Sequence, residues 1–218
     1  MSGQWLLFDL GGVLVEFSGV RDVRRFLRTA ESEESILRRW VACDTTRAFE
    51  TGQLTPEAFG DRFVREWDLA VPPALFLREF QTWTRGFFPA AAELLAALRA
   101  RHALACLSNS NQTHWAQNEA IGILRHFDVA LSSHQLGSHK PDREIYMRAL
   151  GALNAPPERV VFFDDSAANV AGAQAVGIAA YQVRGVVELT ACLRTLGLIG
   201  DASTALPIGD VDRTVQGR

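Results

Sequence analysis

Apolar positions along the chain follow two patterns, short continuous runs and helical stripes. Residues 4–8 form a mostly apolar run that ends at Asp9 and is followed by Gly11 and Gly12. Such a run predicts a buried parallel strand with an acid at its carboxyl end and a permissive turn behind it. From residue 18 to residue 85 the period becomes helical. Val20, Val23, Phe26 and Leu27 share one face, and Ile36, Leu37, Trp40 and Val41 share another. Thr55-Pro56 reads as the cap and first turn of a helix carrying Phe59, Phe63 and Trp67 at i, i+4 spacing. Pro72-Pro73 then punctuates, and Leu75, Phe76 and Phe80 predict one more helix. No strand-like run interrupts this block.

After Phe87-Phe88-Pro89 the two patterns alternate. Strands are expected over 103–107, 129–131, 160–163 and 179–183. Helices are expected over 90–101, around 115–124, after Pro141, over 167–176 and over 186–196. Alternation of this kind predicts a parallel sheet covered on both faces and joined by right-handed crossovers. The expected class is α/β: a Rossmann-like parallel sheet sandwiched by helices, residues 1–17 and 86–199, with an inserted all-α domain, residues 18–85. Residues 200–218 hold few apolar side chains and read as a flexible tail.

Composition narrows the picture. The 218 residues are 48% hydrophobic and 22% charged, ordinary globular usage, with a net charge of -3. That balance lacks the broad basic field which nucleic acid or an anionic membrane requires, so neither is an expected partner. Cys43, Cys106 and Cys192 are too few and too scattered for a disulfide framework or a zinc cluster. The N-terminal apolar run is too short for a signal segment or a membrane span, and a reducing cytoplasm is the expected compartment.

Ligands of open α/β sheets bind beyond the carboxyl ends of the strands, so the residues at those ends are the candidates for chemistry. Asp9 ends the first strand, and Ser108-Asn109 end the second. Lys140-Pro141 follow the third, and Asp164-Asp165 end the fourth, with Asn169 one turn later. Taken singly, an acid after a strand caps a turn, Lys-Pro is a solvated loop, and an acid pair complements a helix dipole. Together they gather carboxylates that would repel unless a cation held them, and hard oxygen ligands suit Mg²⁺. A lysine and a hydroxyl beside such a cation suit the oxygens of a phosphoryl group.

These residues resemble the haloacid dehalogenase-like superfamily. Phe8-Asp9-Leu10-Gly11-Gly12-Val13-Leu14 is similar to its first motif, Leu107-Ser108-Asn109 to the second, Lys140-Pro141 to the third, and Phe163-Asp164-Asp165 with Asn169 to the fourth. Residues 18–85 stand where the family carries a helical cap, and residues 49–59 are similar to the same region of its glucose-1-phosphate phosphatase group. The chain also resembles the phosphatase domain of soluble epoxide hydrolases. The resemblance implies a Mg²⁺-dependent phosphatase acting on a small phosphorylated metabolite, with a sugar phosphate as the expected substrate. It further implies Asp9 as nucleophile and metal ligand, and the carbonyl of Gly11 and the carboxylate of Asp165 as further ligands. Ser108, the N–H of Asn109 and Lys140 would hold the phosphoryl group, Lys140 also neutralising the nucleophile, while Asp164 and Asn169 would orient the shell.

One position departs from the family's pattern. Most phosphatases of the superfamily carry a second aspartate where this chain has Gly11, and glycine keeps the carbonyl but removes the acid that protonates the leaving group. Glu16 is a candidate substitute. Gly11 also keeps open a non-catalytic relative that binds a phosphorylated ligand or a protein. A carbon–halogen hydrolase needs no such acid either, but Leu10-Gly11-Gly12 lacks the Tyr-Gly expected after its nucleophile. Arg47, Glu50 and Arg85 are the polar candidates of the helical block, and His139 stands beside Lys140.

Overall fold

The computed structural model describes residues 4–200, so the expected tail lies almost wholly outside the described residues. In chain order the elements are β1 (Trp5–Phe8), β2 (Val15–Phe17), α1 (Gly19–Arg24), α2 (Glu33–Val41), α3 (Asp44–Glu50), α4 (Pro56–Glu66), α5 (Pro73–Phe80) and β3 (Thr84–Phe87). They continue with α6 (Ala91–Arg99), β4 (Ala103–Ser108), α7 (Gln112–Ala120), β5 (Val129–Ser132), α8 (Ser133–Leu136) and α9 (Arg143–Leu153). The last are β6 (Val160–Asp164), α10 (Ala167–Gln174), β7 (Ala179–Gln182) and α11 (Gly185–Thr195). Five strands pair in the order β5-β4-β1-β6-β7, all parallel. The strand order reverses across β1, which is the switch point where such sheets place a ligand crevice.

The strands are apolar on both faces because helices cover both faces. Alternate residues of β1 serve opposite cores. Leu6 and Phe8 pack with Leu94 and Leu98 of α6 and Leu189 and Leu193 of α11. Leu7 packs with Ile145 and Ala149 of α9 and Val170 and Ala173 of α10. A third cluster belongs to the helices between β2 and β3, and it is aromatic: Phe49, Phe59, Phe63, Phe76, Phe80 and Trp83 are all buried. The hydroxyl of Thr55 accepts from the Ala58 N–H at 3.3 Å, capping α4 as its Thr-Pro start predicts.

Two departures from the expected pattern matter for the site. Val15–Phe17 and Thr84–Phe87 form an antiparallel ribbon at the points where the helical block leaves and rejoins the sheet. The last two residues of the expected helical block therefore lie in a strand. Helix α1 ends at Arg24, short of Phe26 and Leu27, because those residues pair instead with the chain after α4. The Ala70 N–H donates to the Phe26 carbonyl at 2.7 Å, and Leu27 bridges Leu69.

Candidate active site

Strands β4, β1 and β6 are neighbours, so Ser108, Asp9 and Asp164 end three adjacent strands, spaced at about 4.8 Å. The Asp9 N–H donates to the Phe163 carbonyl at 2.8 Å, which carries the β1–β6 pairing one residue past the strand. Lys140 comes in from the loop before α9 and is 2% exposed. Its Nζ donates to Asp9 Oδ1 at 2.8 Å, to Asp164 Oδ2 at 2.7 Å and to the Leu107 carbonyl at 2.8 Å. Three ammonium protons thus meet three acceptors. Burial opposes the lysine's charge, but Asp9 and Asp164 outweigh it and hold the pKa above the ordinary lysine range.

Asp164 is wholly buried. Its Oδ1 accepts from the Ser166 N–H and from Asn169 Nδ2, both at 2.9 Å. The Tyr146 hydroxyl donates to the Asn169 carbonyl at 2.7 Å and steadies that residue in turn. Carboxylate oxygens of Asp9, Asp164 and Asp165 lie within 4.8 Å of one another. Three acids facing one ammonium leave an excess of negative charge. Burial pushes the Asp9 carboxyl up to about 7; Lys140 pulls it back, while Asp164 and Asp165 push it further. Asp165 is raised as well, by burial and then by Asp164. An all-oxygen cluster with surplus charge fits a hard divalent cation such as Mg²⁺.

The two glycines after Asp9 are not equivalent. Gly12 has φ +75°, and a Cβ there would lie 2.6 Å from Asp165 Oδ2, so only glycine lets the turn pass that carboxylate. Gly11 lies outside the left-handed region, and a Cβ there would meet nothing nearer than the Cβ of Phe17 at 3.9 Å.

Over these strand ends lies a cavity of about 320 Å³, walled by Asp9, Gly11, Ser108, Asn109, Lys140, Asp165 and Asn169 together with residues of the helical block. Of the eight motif residues expected to bind metal or phosphoryl group or to orient them, only Asp164 is absent from this wall, lying buried behind Lys140. Asn109 is fixed by Lys140: its Oδ1 accepts from the Lys140 N–H at 2.8 Å, and its Nδ2 donates to the Lys140 carbonyl at 2.9 Å. With the amide so oriented, Asn109 Nδ2 donates to His139 Nδ1 at 3.1 Å. The proton of neutral His139 must then sit on Nε2, which donates to Glu50 of α3 at 2.8 Å. Arg47 of the same helix pairs with Asp142, and both Arg47 and Glu50 line the cavity.

Two expected candidates stand elsewhere. Arg85 is bound by Ser18 and Asp22 at the base of the ribbon. Glu16 is exposed, pairs with Arg21 at 3.3 Å and does not line the cavity, so the substitute-acid role has no support from its position. Sequence reasoning missed Thr46, His114 and Asn118 on the wall. His114 and Asn118 are an i, i+4 pair on α7, whose cap is Asn111; its Oδ1 accepts from the N–H groups of Thr113 and His114 at 3.1 and 3.0 Å. That cap signal is present in the sequence, but it points to a helix start rather than to a cavity wall.

Fold and site together define an α/β enzyme with an acidic cavity at its strand ends. Residues 4–177 match the model of the haloacid dehalogenase-like hydrolase family, and the chain belongs to that family. A phosphatase of Mycobacterium tuberculosis is 31% identical over 194 residues, 84% of this chain and 88% of the relative. A phosphorylated carbohydrates phosphatase of Thermotoga maritima is 35% identical over 106 residues, 46% of each chain. Among solved structures, a family enzyme of Bacteroides thetaiotaomicron, in complex with magnesium and inorganic phosphate, superposes with a TM-score of 0.69. It is 22% identical, the match covering 84% of this chain and 95% of that one, and it shares the fold.

Proposed function

We propose that this protein is a Mg²⁺-dependent phosphomonoester hydrolase that works through an aspartyl-phosphate on Asp9. The observation that carries this reading is the pairing of Asp9 Oδ1 with the buried Lys140 ammonium. Lys140 holds the carboxylate in place at the end of the central strand through one oxygen, and the other is free to attack phosphorus. The names of the relatives from Mycobacterium tuberculosis and Thermotoga maritima support phosphate-ester chemistry.

In this reading residues 1–17 and 86–199 form the catalytic core, and residues 18–85 cap it. Asp9, the Gly11 carbonyl and Asp165 would hold Mg²⁺, which when bound neutralises charge on the carboxylates and the phosphoryl oxygens. Ser108 and the Asn109 N–H donate to phosphoryl oxygens, and Lys140 offsets their charge. Asp164 and Asn169 keep Lys140 and the metal ligands in position. A bond from the Asp9 carboxylate to phosphorus forms as the bond to the leaving oxygen breaks. Water then attacks the same phosphorus and breaks its bond to Asp9, which returns as a carboxylate; the proton that water gives up to solvent balances the one that the leaving oxygen takes from it. Dividing the displacement in this way replaces one difficult step by two easier ones. The substrate is a small phosphorylated metabolite. A sugar phosphate is the substrate expected from the resemblance and supported by the name of the Thermotoga relative, though the walls of the cavity point elsewhere.

Asp9→Asn is nearly isosteric and a poor nucleophile. The variant should keep the far-UV circular dichroism of the wild type and release no phosphate from a panel of esters in Mg²⁺. Near-normal turnover in the folded variant would remove Asp9 from its role.

A further inference from the structure

Among the described residues seven large apolar side chains are exposed, and three of them, Phe17, Leu37 and Val41, line the one cavity that holds Asp9 and Lys140. Val20 lies on the same wall. Val41 is 77% exposed and Leu37 51%, although the neighbouring Ile36 of α2 is wholly buried. Helix α2 thus presents two apolar side chains to the space above the strand ends rather than to the core of its own block. Apolar side chains grouped around a polar anchor mark a binding surface for hydrocarbon.

The polar inventory of the wall points the same way. Arg47 pairs with Asp142, Glu50 with His139, and His114 with the Phe80 carbonyl at 2.8 Å. Two buried atoms on the wall, Thr46 Oγ1 and Asn118 Oδ1, have no protein partner. Thr46 Oγ1 can accept or donate and Asn118 Oδ1 can accept, so these two atoms suit a small number of polar groups beside the apolar wall. A hydroxyl laid against Leu37 or Val41 meets no polar partner there, whereas a methylene gains apolar contact.

We propose that the leaving group of the substrate is hydrocarbon-rich, an alkyl or aryl group lying against Phe17, Val20, Leu37 and Val41, and not a polyhydroxylated one. This inference rests on the reading of the cavity as a phosphomonoester site.

The test uses n-alkyl phosphates from propyl to hexyl, with glycerol 3-phosphate and hexose 6-phosphates for comparison. Leaving-oxygen basicity varies little along the alkyl series, and the polyols have the less basic leaving oxygen, so slower cleavage of their esters would run against the effect of basicity. In the wild type with Mg²⁺, kcat/KM should rise by up to about fourfold per methylene, and the polyol esters should be poorer than the alkyl esters of similar length. The double variant Leu37→Asn, Val41→Asn should lose most of that chain-length dependence. Val187→Asn, an exposed apolar position off the cavity, should retain it. Calorimetric binding of the matching n-alkylphosphonates gives a readout independent of turnover, and affinity should climb along the same series. A flat or falling series, with phosphate released from the hexose esters, would overturn the inference and leave the hydrolase reading standing. Phosphonate affinity that climbs with chain length while no ester is cleaved would support the apolar subsite and overturn the hydrolase reading.

Discussion

Asp9 is raised to about 7 while an unfolded aspartate titrates near 3.8, and this sets how the protein responds to pH and to metal. The folded chain holds a proton on Asp9 over the interval in which the unfolded chain has lost it. The stabilising contribution of this group is therefore complete below about 3.8 and is lost as pH rises through about 7. In metal-free protein the part of stability that comes from Asp9 should decline across that window. A divalent cation needs the carboxylate deprotonated, so its binding expels the proton and reverses the trend. Melting temperature followed against pH should show a Mg²⁺-induced increase that grows from pH 5 to pH 8. An increase independent of pH would mean that Asp9 is not among the ligands. Gly11 supports a second prediction at this scale. With no left-handed φ and no atom nearer than 3.9 Å to a Cβ at that position, Gly11→Asp can add a Cβ without a clash and bring a carboxyl close to Asp9, the proposed nucleophile. General acid catalysis is typically worth about 10²–10⁴-fold, and it helps most where the leaving oxygen is basic. A plot of log kcat/KM against leaving-group pKa should be steep in the wild type and flatter in the variant. A flat wild-type plot would show that another group already supplies the proton.

Helices α4 and α5 hold the helical block together through rings. Phe63 stacks on Phe76 at 5.2 Å and on Trp67 at 4.7 Å, and lies 5.1 Å from Phe59. Phe63→Ala should cost about 3–5 kcal/mol in urea unfolding, as expected for a large buried side chain removed from a tight cluster. A loss below about 1 kcal/mol would mean that the cluster collapses into the gap. The same elements show what sequence could reveal. The central strands β4, β1 and β6 were legible because burial on both faces makes each a continuous apolar run. The β2–β3 ribbon was not, since the apolar–polar–apolar run Val15-Glu16-Phe17 is only three residues long, too short to mark a strand. The period of α2 placed Ile36, Leu37, Trp40 and Val41 on one face, yet the structure divides them between a core and a cavity wall. Periodicity reports which side chains share a face and is silent on what that face meets. The motif residues were legible because their positions follow from strand ends. The Glu50–His139 contact was not, because it joins α3 to a loop far along the chain and leaves no local pattern.

Across the whole molecule the strand that carries Asp9 lies at the centre of the sheet, and its neighbours come late in the chain. Trp5 pairs with Ala103 on one side and with Val160 on the other. Long-range parallel pairing of this kind is slow to form, because loop closure must precede any gain from contact. During synthesis the helical block, whose aromatic contacts are local, can condense while β1 still waits for both partners. Until β4 and then β6 arrive, Leu6, Leu7 and Phe8 stand along open edges able to accept a strand from another chain. No nascent chain that stops short of β6 can hold the cluster of Asp9, Lys140 and Asp164, since Asp164 is the final residue of that strand. Assembly of the acidic cluster around Lys140 therefore waits until the central strand has both of its partners.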